Sequence, residues 1–161
     1  MFEMKKPAAT DKATCYAELC EQARGLLGGE RDPIANAANL AALLYHGLDR
    51  VNWVGFYLLK EGELVVGPFQ GLPACVRIAM GKGVCGTAAA ERRTLVVDDV
   101  DAFAGHIPCD AASRSEIVVP LVVGGELFGV LDIDSPELAR FDDVDRTGLE
   151  SIAAVFVDAM A

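Results

Sequence analysis

The segment EIVVPLVVGGELFGVLDID, residues 116–134, decides the fold, because it predicts two antiparallel strands joined by a tight glycine turn. Side chains alternate between the two faces of a strand, so Leu131 and Ile133 share one face and Asp132 and Asp134 share the other. The two aliphatic residues suit a hydrophobic core. We therefore expect two carboxylates, about 7 Å apart along the strand, on the face turned away from that core.

A second hairpin is predicted upstream, where a Glu-Gly turn connects VNWVGFYLLK (51–60) to ELVVG (63–67). On its first strand Trp53, Gly55 and Tyr57 point to one face, and the glycine is expected to leave an open slot between the two aromatic rings. An aromatic wall beside acidic groups is typical of a pocket that receives a cation with an apolar tail.

Helical periodicity occupies both ends of the chain. It predicts N-terminal helices over about 11–48, a sheet and pocket over about 50–134, and a C-terminal helix over about 142–159, with Asp142 as its cap. Strands paired by short turns and flanked by helices indicate an α+β domain with a mostly antiparallel sheet. At this length we expect a single domain over residues 1–161.

The middle of the chain predicts shorter elements. ACVRIAM (74–80) is typical of a strand, and glycines in 81–93 lead into a short helix. TLVVDDV (94–100) is extended again, and 101–114 follows neither a helical nor a strand pattern.

Charge and composition exclude several classes of partner. The formal net charge is −10, from 24 acidic residues against 14 lysines and arginines. Nucleic acids and anionic membranes require a basic surface, so neither is an expected partner. No apolar stretch approaches the roughly 20 residues of a membrane span, and the N-terminus has no apolar core typical of a signal peptide. We therefore expect a cytoplasmic protein.

The chain contains five cysteines, at positions 15, 20, 75, 85 and 109. Cytosolic thiols are kept reduced, so a stable disulfide framework is not expected, and packing, metal binding or redox chemistry remain. Cys109 lies in AGHIPCDAASRSE (104–116), a loop of small residues beside acidic ones. Cys15 and Cys20 lie five residues apart on a predicted helix, where packing is the favoured interpretation.

Six segments together resemble one family in order and spacing: NWVGFYLL (52–59), GPFQG (67–71), ACVRI (74–78), GKGVCGTAA (81–89), HIPCDAASRSEIVVPL (106–121) and GVLDIDS (129–135). The resemblance is to the free methionine-(R)-sulfoxide reductases, which are stand-alone GAF-domain enzymes, and it covers about residues 36–145. Its most specific feature is the trio Cys75, Cys85 and Cys109, which GAF sensor domains in general lack.

The resemblance implies a fold and a set of roles. The fold would be GAF-like, with the N- and C-terminal helices on one face of the central sheet and a ligand pocket on the other. Cys109 matches the catalytic thiol, Cys75 the principal resolving thiol and Cys85 a secondary one. The residues that match the family's substrate-binding set are Trp53, Tyr57, Glu116, Asp132 and Asp134.

The implied reaction reduces free L-methionine (R)-sulfoxide to methionine. A thiolate attacks the sulfoxide sulfur, a sulfenic acid forms, and a second thiol condenses with it to an intramolecular disulfide. Thioredoxin, with its NADPH-dependent reductase, would recycle that disulfide, and no bound cofactor or metal is implied. Such an enzyme would serve under oxidative stress.

The chemistry also requires a proton donor, for which we favour Glu116. Crowded carboxylates raise one another's pKa, so one of them can stay protonated at neutral pH while another binds the substrate's ammonium group. The same acids should raise the pKa of Cys109, so we expect full reactivity of that thiol only with substrate bound.

Two rival functions, the role of His106 and the oligomeric state remain to be weighed. A GAF module that senses a small molecule without catalysis would keep the pocket, but it has no need of three thiols. A zinc site formed by Cys75, Cys85, Cys109 and His106 lacks the usual C-x₂₋₄-C pairs. His106 by itself is more typical of a surface or hydrogen-bonding residue and is left out of the catalytic set. A homodimer through the alanine-rich helices is compatible with the sequence but not decided by it.

Overall fold

A computed structural model describes residues 1–108 and 111–161, and within them the predicted elements form in the predicted order. The helices are α1 Lys12–Leu27, α2 Pro33–Gly47, α3 Gly83–Glu91 and α4 Asp143–Ala159. The strands are β1 Trp53–Lys60, β2 Glu63–Gly71, β3 Arg77–Ala79, β4 Leu95–Val97, β5 Ser115–Val123 and β6 Glu126–Ser135.

The six strands form one sheet in the order β3-β2-β1-β6-β5-β4, and every described pair of neighbours is antiparallel. The two predicted hairpins, β1-β2 and β5-β6, therefore meet in the middle of the sheet, where β1 pairs with β6. This arrangement confirms the α+β, mostly antiparallel prediction.

A hydrophobic core lies on each face of the sheet. On the first face, α2 and α4 pack on residues of the sheet that include Phe56, Ile117, Leu131 and Ile133, and α1 packs on α2 and α4. On the second face, α3 packs on the alternate residues, among them Tyr57 and Val118. The faces of β1 and β6 are those that strand alternation predicted, with the N- and C-terminal helices on one side and the acidic face on the other.

Local capping residues explain where the helices begin. The Asp32 side chain accepts a hydrogen bond from the backbone N–H of Ala35, and Pro33 occupies the first turn of α2. Asp142, the predicted cap, forms a reciprocal capping box with Asp145 at the start of α4. Neither signal depends on tertiary contacts, which is why the sequence reveals both.

Two predicted strands are shorter than the sequence indicates. The strand expected over 74–80 is reduced to β3, which pairs with β2 only from Arg77 onward. The extended stretch expected over 94–100 ends with β4, because the Asp99 side chain accepts a hydrogen bond from the Asp101 N–H and starts a short 3-10 turn. Periodicity cannot reveal such ends, since they depend on where a pairing partner stops.

Among the helices of the described residues, none combines the length and the apolar character that a bilayer crossing would need.

Candidate active site

The acidic and aromatic residues of the candidate site converge because three central strands place them in neighbouring rows. Trp53 on β1 pairs with Asp134 on β6, and Asp134 pairs in turn with Glu116 on β5. Asp132 lies two residues back along β6, opposite Gly55. The register of β5-β6-β1 thus brings together side chains that are up to 81 positions apart in the sequence.

A buried thiol joins this acidic row. The Sγ atom of Cys85, near the start of α3, lies 3.7 Å from Glu116 Oε1 and donates to it. One polar atom from each of Cys85, Glu116 and Asp132 lies within 4.8 Å of the others. Exposure of these residues is 4%, 8% and 5%.

The glycines of GKGVCG allow α3 to approach the sheet closely enough for this contact. Gly83 has φ +60°, a conformation that L side chains rarely adopt. A Cβ at Gly86 would overlap the backbone carbonyl of Ala79 on β3. The glycine-rich stretch is therefore required for close packing of α3 against the sheet.

A small cavity opens over the cluster. Its volume is about 40 Å³, and its lining residues are Tyr57, Ile78, Gly83, Val84, Cys85, His106, Ile107, Glu116 and Asp132. Sequence reasoning left His106 out, yet the structure places its imidazole at this cavity. Its charge acts to lower the pKa of Glu116. The only available signal was its closeness to Cys109 in the sequence, which does not predict contact with Glu116.

Burial raises the pKa of the acidic groups in this cluster and so favours their protonated forms. The pKa of Asp132 lies well above its ordinary value, because burial penalises the carboxylate and the charges of Asp134 and Glu116 oppose ionisation. Burial also raises the pKa of Glu116. Burial, followed by the charges of Asp132 and Glu116, raises the pKa of the Cys85 thiol well above its usual range.

The aromatic wall exists, but it differs from the predicted open slot. Trp53 stacks on Tyr57 and on Phe69, with ring centroids 5.8 Å and 5.1 Å apart. A Cβ at Gly55 would collide with Phe69 and would lie 2.7 Å from the Trp53 ring. The space above Gly55 is therefore filled by these two rings, and the prediction of an empty slot was wrong because it could not include the neighbouring strand β2.

The polar atoms of both aromatic residues contact the segment that carries Cys75. The Trp53 indole N–H donates to the Leu72 carbonyl, and the Tyr57 hydroxyl donates to the Cys75 carbonyl, each over 3.1 Å. Burial, followed by the charge of Asp132, raises the pKa of Tyr57, so its hydroxyl stays a donor. Sequence reasoning had assigned these two residues to the substrate alone.

The cysteines differ in state. Cys75 is disulfide-bonded, whereas Cys15, Cys20 and Cys85 are free thiols. The predicted catalytic Cys109 lies outside the described residues. Cys20 is buried in α1, and the Cys15 thiol donates to the Ala9 carbonyl, as the packing interpretation of this pair expects.

Comparison with known proteins now identifies the family. A model of the GAF domain matches residues 37–161. The free methionine-R-sulfoxide reductase of Escherichia coli is 50% identical over 151 residues, which cover 94% of this chain and 92% of that protein. The crystal structure of the Neisseria meningitidis free methionine-R-sulfoxide reductase in complex with its substrate is 46% identical, covers 99% of this chain and 96% of its own, and superposes with a TM-score of 0.95.

The chain belongs to the free methionine-R-sulfoxide reductases. A further relative, protein YtsP of Bacillus subtilis, is 53% identical over all of this chain and 99% of its own length. The GAF-like fold inferred from the sequence is confirmed by the family model and by the superposition. Membership also makes the protein an enzyme rather than a sensor module, which removes the non-catalytic alternative.

Proposed function

We propose that this protein, as one GAF domain over residues 1–161, reduces the R-sulfoxide of free methionine to methionine by thiol chemistry. The observation that carries the proposal is the cluster of buried carboxyl groups with raised pKa that meets a row of aromatic rings on the acidic face of the sheet. Family membership supports the proposal, because two relatives that match over most of their length are named free methionine-R-sulfoxide reductases.

The carboxyl groups have two tasks in the proposed reaction. A protonated acid donates to the sulfoxide oxygen, and Glu116 is our choice because its pKa is raised, it lies in the cavity, and its strand β5 follows the segment that carries Cys109 in the sequence. Asp132 and Asp134 bind the ammonium group, so a methionine inside a polypeptide, which has no such group, would be a poor substrate. Trp53 and Tyr57 form the apolar wall against the methylthio end.

The redox steps balance through two cysteines. The Cys109 thiol takes the sulfoxide oxygen and becomes a sulfenic acid as methionine leaves. The Cys75 thiol then displaces water from that sulfenic acid and forms a Cys75–Cys109 disulfide. In support, Cys75 is disulfide-bonded while Cys85 is a free thiol.

Cys85 is the weaker candidate for resolution. Its thiol is fully buried and donates to Glu116, and its raised pKa leaves little thiolate to attack a sulfenic acid. The ranking of Cys75 before Cys85, which came from family resemblance, now has a physical reason.

A dithiol must return the disulfide to two thiols, and we propose thioredoxin, kept reduced by its NADPH-dependent reductase. This reductant fits the cytoplasmic location and the oxidative-stress role that we propose. No bound cofactor is required, because every electron passes through cysteine sulfur.

The decisive experiment compares three variants on free methionine R-sulfoxide. Cys109→Ser should abolish methionine release with any reductant. Cys75→Ser should release about one methionine per enzyme and then stall with thioredoxin, while dithiothreitol restores turnover. Cys15→Ser serves as the control, because its hydroxyl can keep the hydrogen bond to Ala9.

Turnover by Cys109→Ser would reject the catalytic assignment. Normal recycling of Cys75→Ser on thioredoxin would transfer the resolving role to Cys85. Equal rates on free and peptide-bound methionine sulfoxide would reject ammonium recognition by the aspartates.

A further inference from the structure

The cluster of Cys85, Glu116 and Asp132 has the composition and spacing of a metal-ligand set. Zinc is bound through about 2.3 Å bonds to sulfur and about 2.0 Å bonds to oxygen, so two such ligands on a tetrahedral ion lie roughly 3.5 Å apart. Cys85 Sγ and Glu116 Oε1 are 3.7 Å apart. All three ligand atoms lie within 4.8 Å of one another.

An unpartnered oxygen points independently to a ligand. Asp132 Oδ1 is buried and has no hydrogen-bond partner among the described residues, although Asp132 is only 5% exposed. An unsatisfied buried carboxyl oxygen is energetically unfavourable, so a bound group would relieve that penalty. Asp132 lines the cavity of about 40 Å³, which has room for an ion or a water molecule.

We propose that Cys85, Glu116 and Asp132 bind a borderline-soft divalent cation of the zinc class when the substrate pocket is empty. One thiolate with two carboxylates favours zinc over the harder magnesium and calcium ions. Three protein ligands leave a fourth position toward the cavity, where a water molecule can complete the coordination.

The cation would reverse the protonation of the site. Protons and the cation compete for the same thiol and carboxyl atoms. A bound divalent ion makes the deprotonated forms favourable and deprotonates a coordinating thiol outright. The thiol proton and the carboxyl protons are released to solvent, so affinity should increase as the pH rises.

Occupation of the site would block the reaction proposed above, because the ion and the substrate use the same carboxyl groups. This inhibitory effect rests on the proposed function, but cation binding does not. The site also differs from the zinc site considered from the sequence, since among the described residues Cys85 is joined by two carboxylates.

The test uses the protein with Cys75 disulfide-bonded and no thiol in the buffer, so that Cys75 cannot coordinate the ion. Cobalt(II) is the probe, since thiolate coordination gives a charge-transfer band in the near ultraviolet. We expect one ion per chain and such a band in the unmodified protein and in Cys15→Ser. Cys85→Ser should lose the band, and Asp132→Asn should weaken cobalt and zinc binding by at least about tenfold.

A missing band in the unmodified protein, or a band that survives in Cys85→Ser, would overturn the proposal. Far-ultraviolet circular dichroism of each variant shows that it is folded, and Asp132→Asn tests the site without altering the thiol. In turnover assays with a non-thiol reductant, zinc should raise the apparent KM for methionine sulfoxide. Zinc that binds without changing this KM would refute the competition while leaving the site itself in place.

Discussion

Asp132 is a carboxyl group that the fold places where ionisation is unfavourable. The folded protein keeps its proton in a pH range where the unfolded chain, with a pKa of about 4, has lost it. Folding stability therefore decreases as the pH rises from that value toward the higher folded pKa. The folding stability gained by replacing the Asp132 carboxyl group should therefore increase with pH.

We predict that Asp132→Asn raises the melting temperature by a few degrees at pH 7–8, on the order of 1 kcal/mol, and changes it little at pH 4. Reductase activity should fall by about 10²-fold, because the amide cannot ionise to pair with the substrate's ammonium group. Differential scanning calorimetry between pH 4 and 8 measures the first effect. Asp98→Asn, at an exposed position, is the control, and a stability gain that is independent of pH would contradict the explanation.

Tyr57 is a second residue to which the fold gives a role that the sequence did not predict. Its ring lines the cavity, while its hydroxyl holds the backbone of Cys75. Tyr57→Phe keeps the stacking on Trp53 but removes this hydrogen bond. We predict that the first methionine is released at a normal rate, whereas formation of the Cys75 disulfide slows about fivefold, the equivalent of roughly 1 kcal/mol.

Rapid alkylation of thiols during a single turnover, followed by mass spectrometry, separates these two steps. Tyr45→Phe is the matched control, because the described contact of Tyr45 is a ring contact with His46. A higher KM for the sulfoxide with unchanged disulfide formation would assign Tyr57 to the substrate alone.

At the scale of elements, a buried ionic network fixes the start of α4 against α1 and the chain before it. Asp145 is fully buried and accepts hydrogen bonds from the Tyr16 hydroxyl, the Arg140 guanidinium and the Lys12 ammonium. Arg140 also donates to the Asp49 carbonyl, so the network connects three segments that are distant in sequence.

Asp145→Asn should destabilise the protein by about 3–5 kcal/mol, because it leaves the buried Arg140 without its counter-charge. Asp143→Asn, two residues earlier in the same helix, alters an exposed ion pair with Arg146 and should change stability by less than about 1 kcal/mol. Urea denaturation compares the two. Similar losses for both variants would mean that charge at the helix start, and not burial, is decisive.

At the scale of the whole molecule, the outer faces of α1 and α4 leave a shallow groove of about 660 Å³. Small or apolar residues such as Ala13, Ala17 and Val144 line it. We expect a homodimer on this face, which shares α1, but not α2, with the pair of alanine-rich N-terminal helices that the sequence suggested. Because each copy carries a net charge of −10, salt should strengthen the association by screening repulsion.

We predict that Ala17→Arg gives a monomer by light scattering at concentrations where the unmodified protein is dimeric, with activity kept. Glu150→Arg, which also adds an arginine at an exposed helical position away from this groove, should remain dimeric. A monomeric unmodified protein, or a dimer that tolerates Ala17→Arg, would exclude this interface.

Local chemistry accounts for the features that the sequence revealed. Strand alternation placed Leu131 and Ile133 opposite Asp132, and the cap at Asp142 marked the start of α4, because these signals involve only neighbouring residues. Family resemblance added the predicted redox roles of Cys75, Cys85 and Cys109. Nothing local indicated that α3 would bring Cys85 to Glu116, since that contact needs the close approach at Gly86 and the register of three strands.

The sequence by itself therefore determined the elements, their faces and the family, because periodicity, turns and caps operate over a few residues. Only the tertiary structure decided that Phe69 fills the space above Gly55, that Tyr57 holds Cys75 and that a buried thiol lies among carboxyl groups. Each of these contacts joins separate elements. The raised pKa values of the thiol and the carboxyl groups follow from burial, and these groups are buried only once α3 has packed against the sheet.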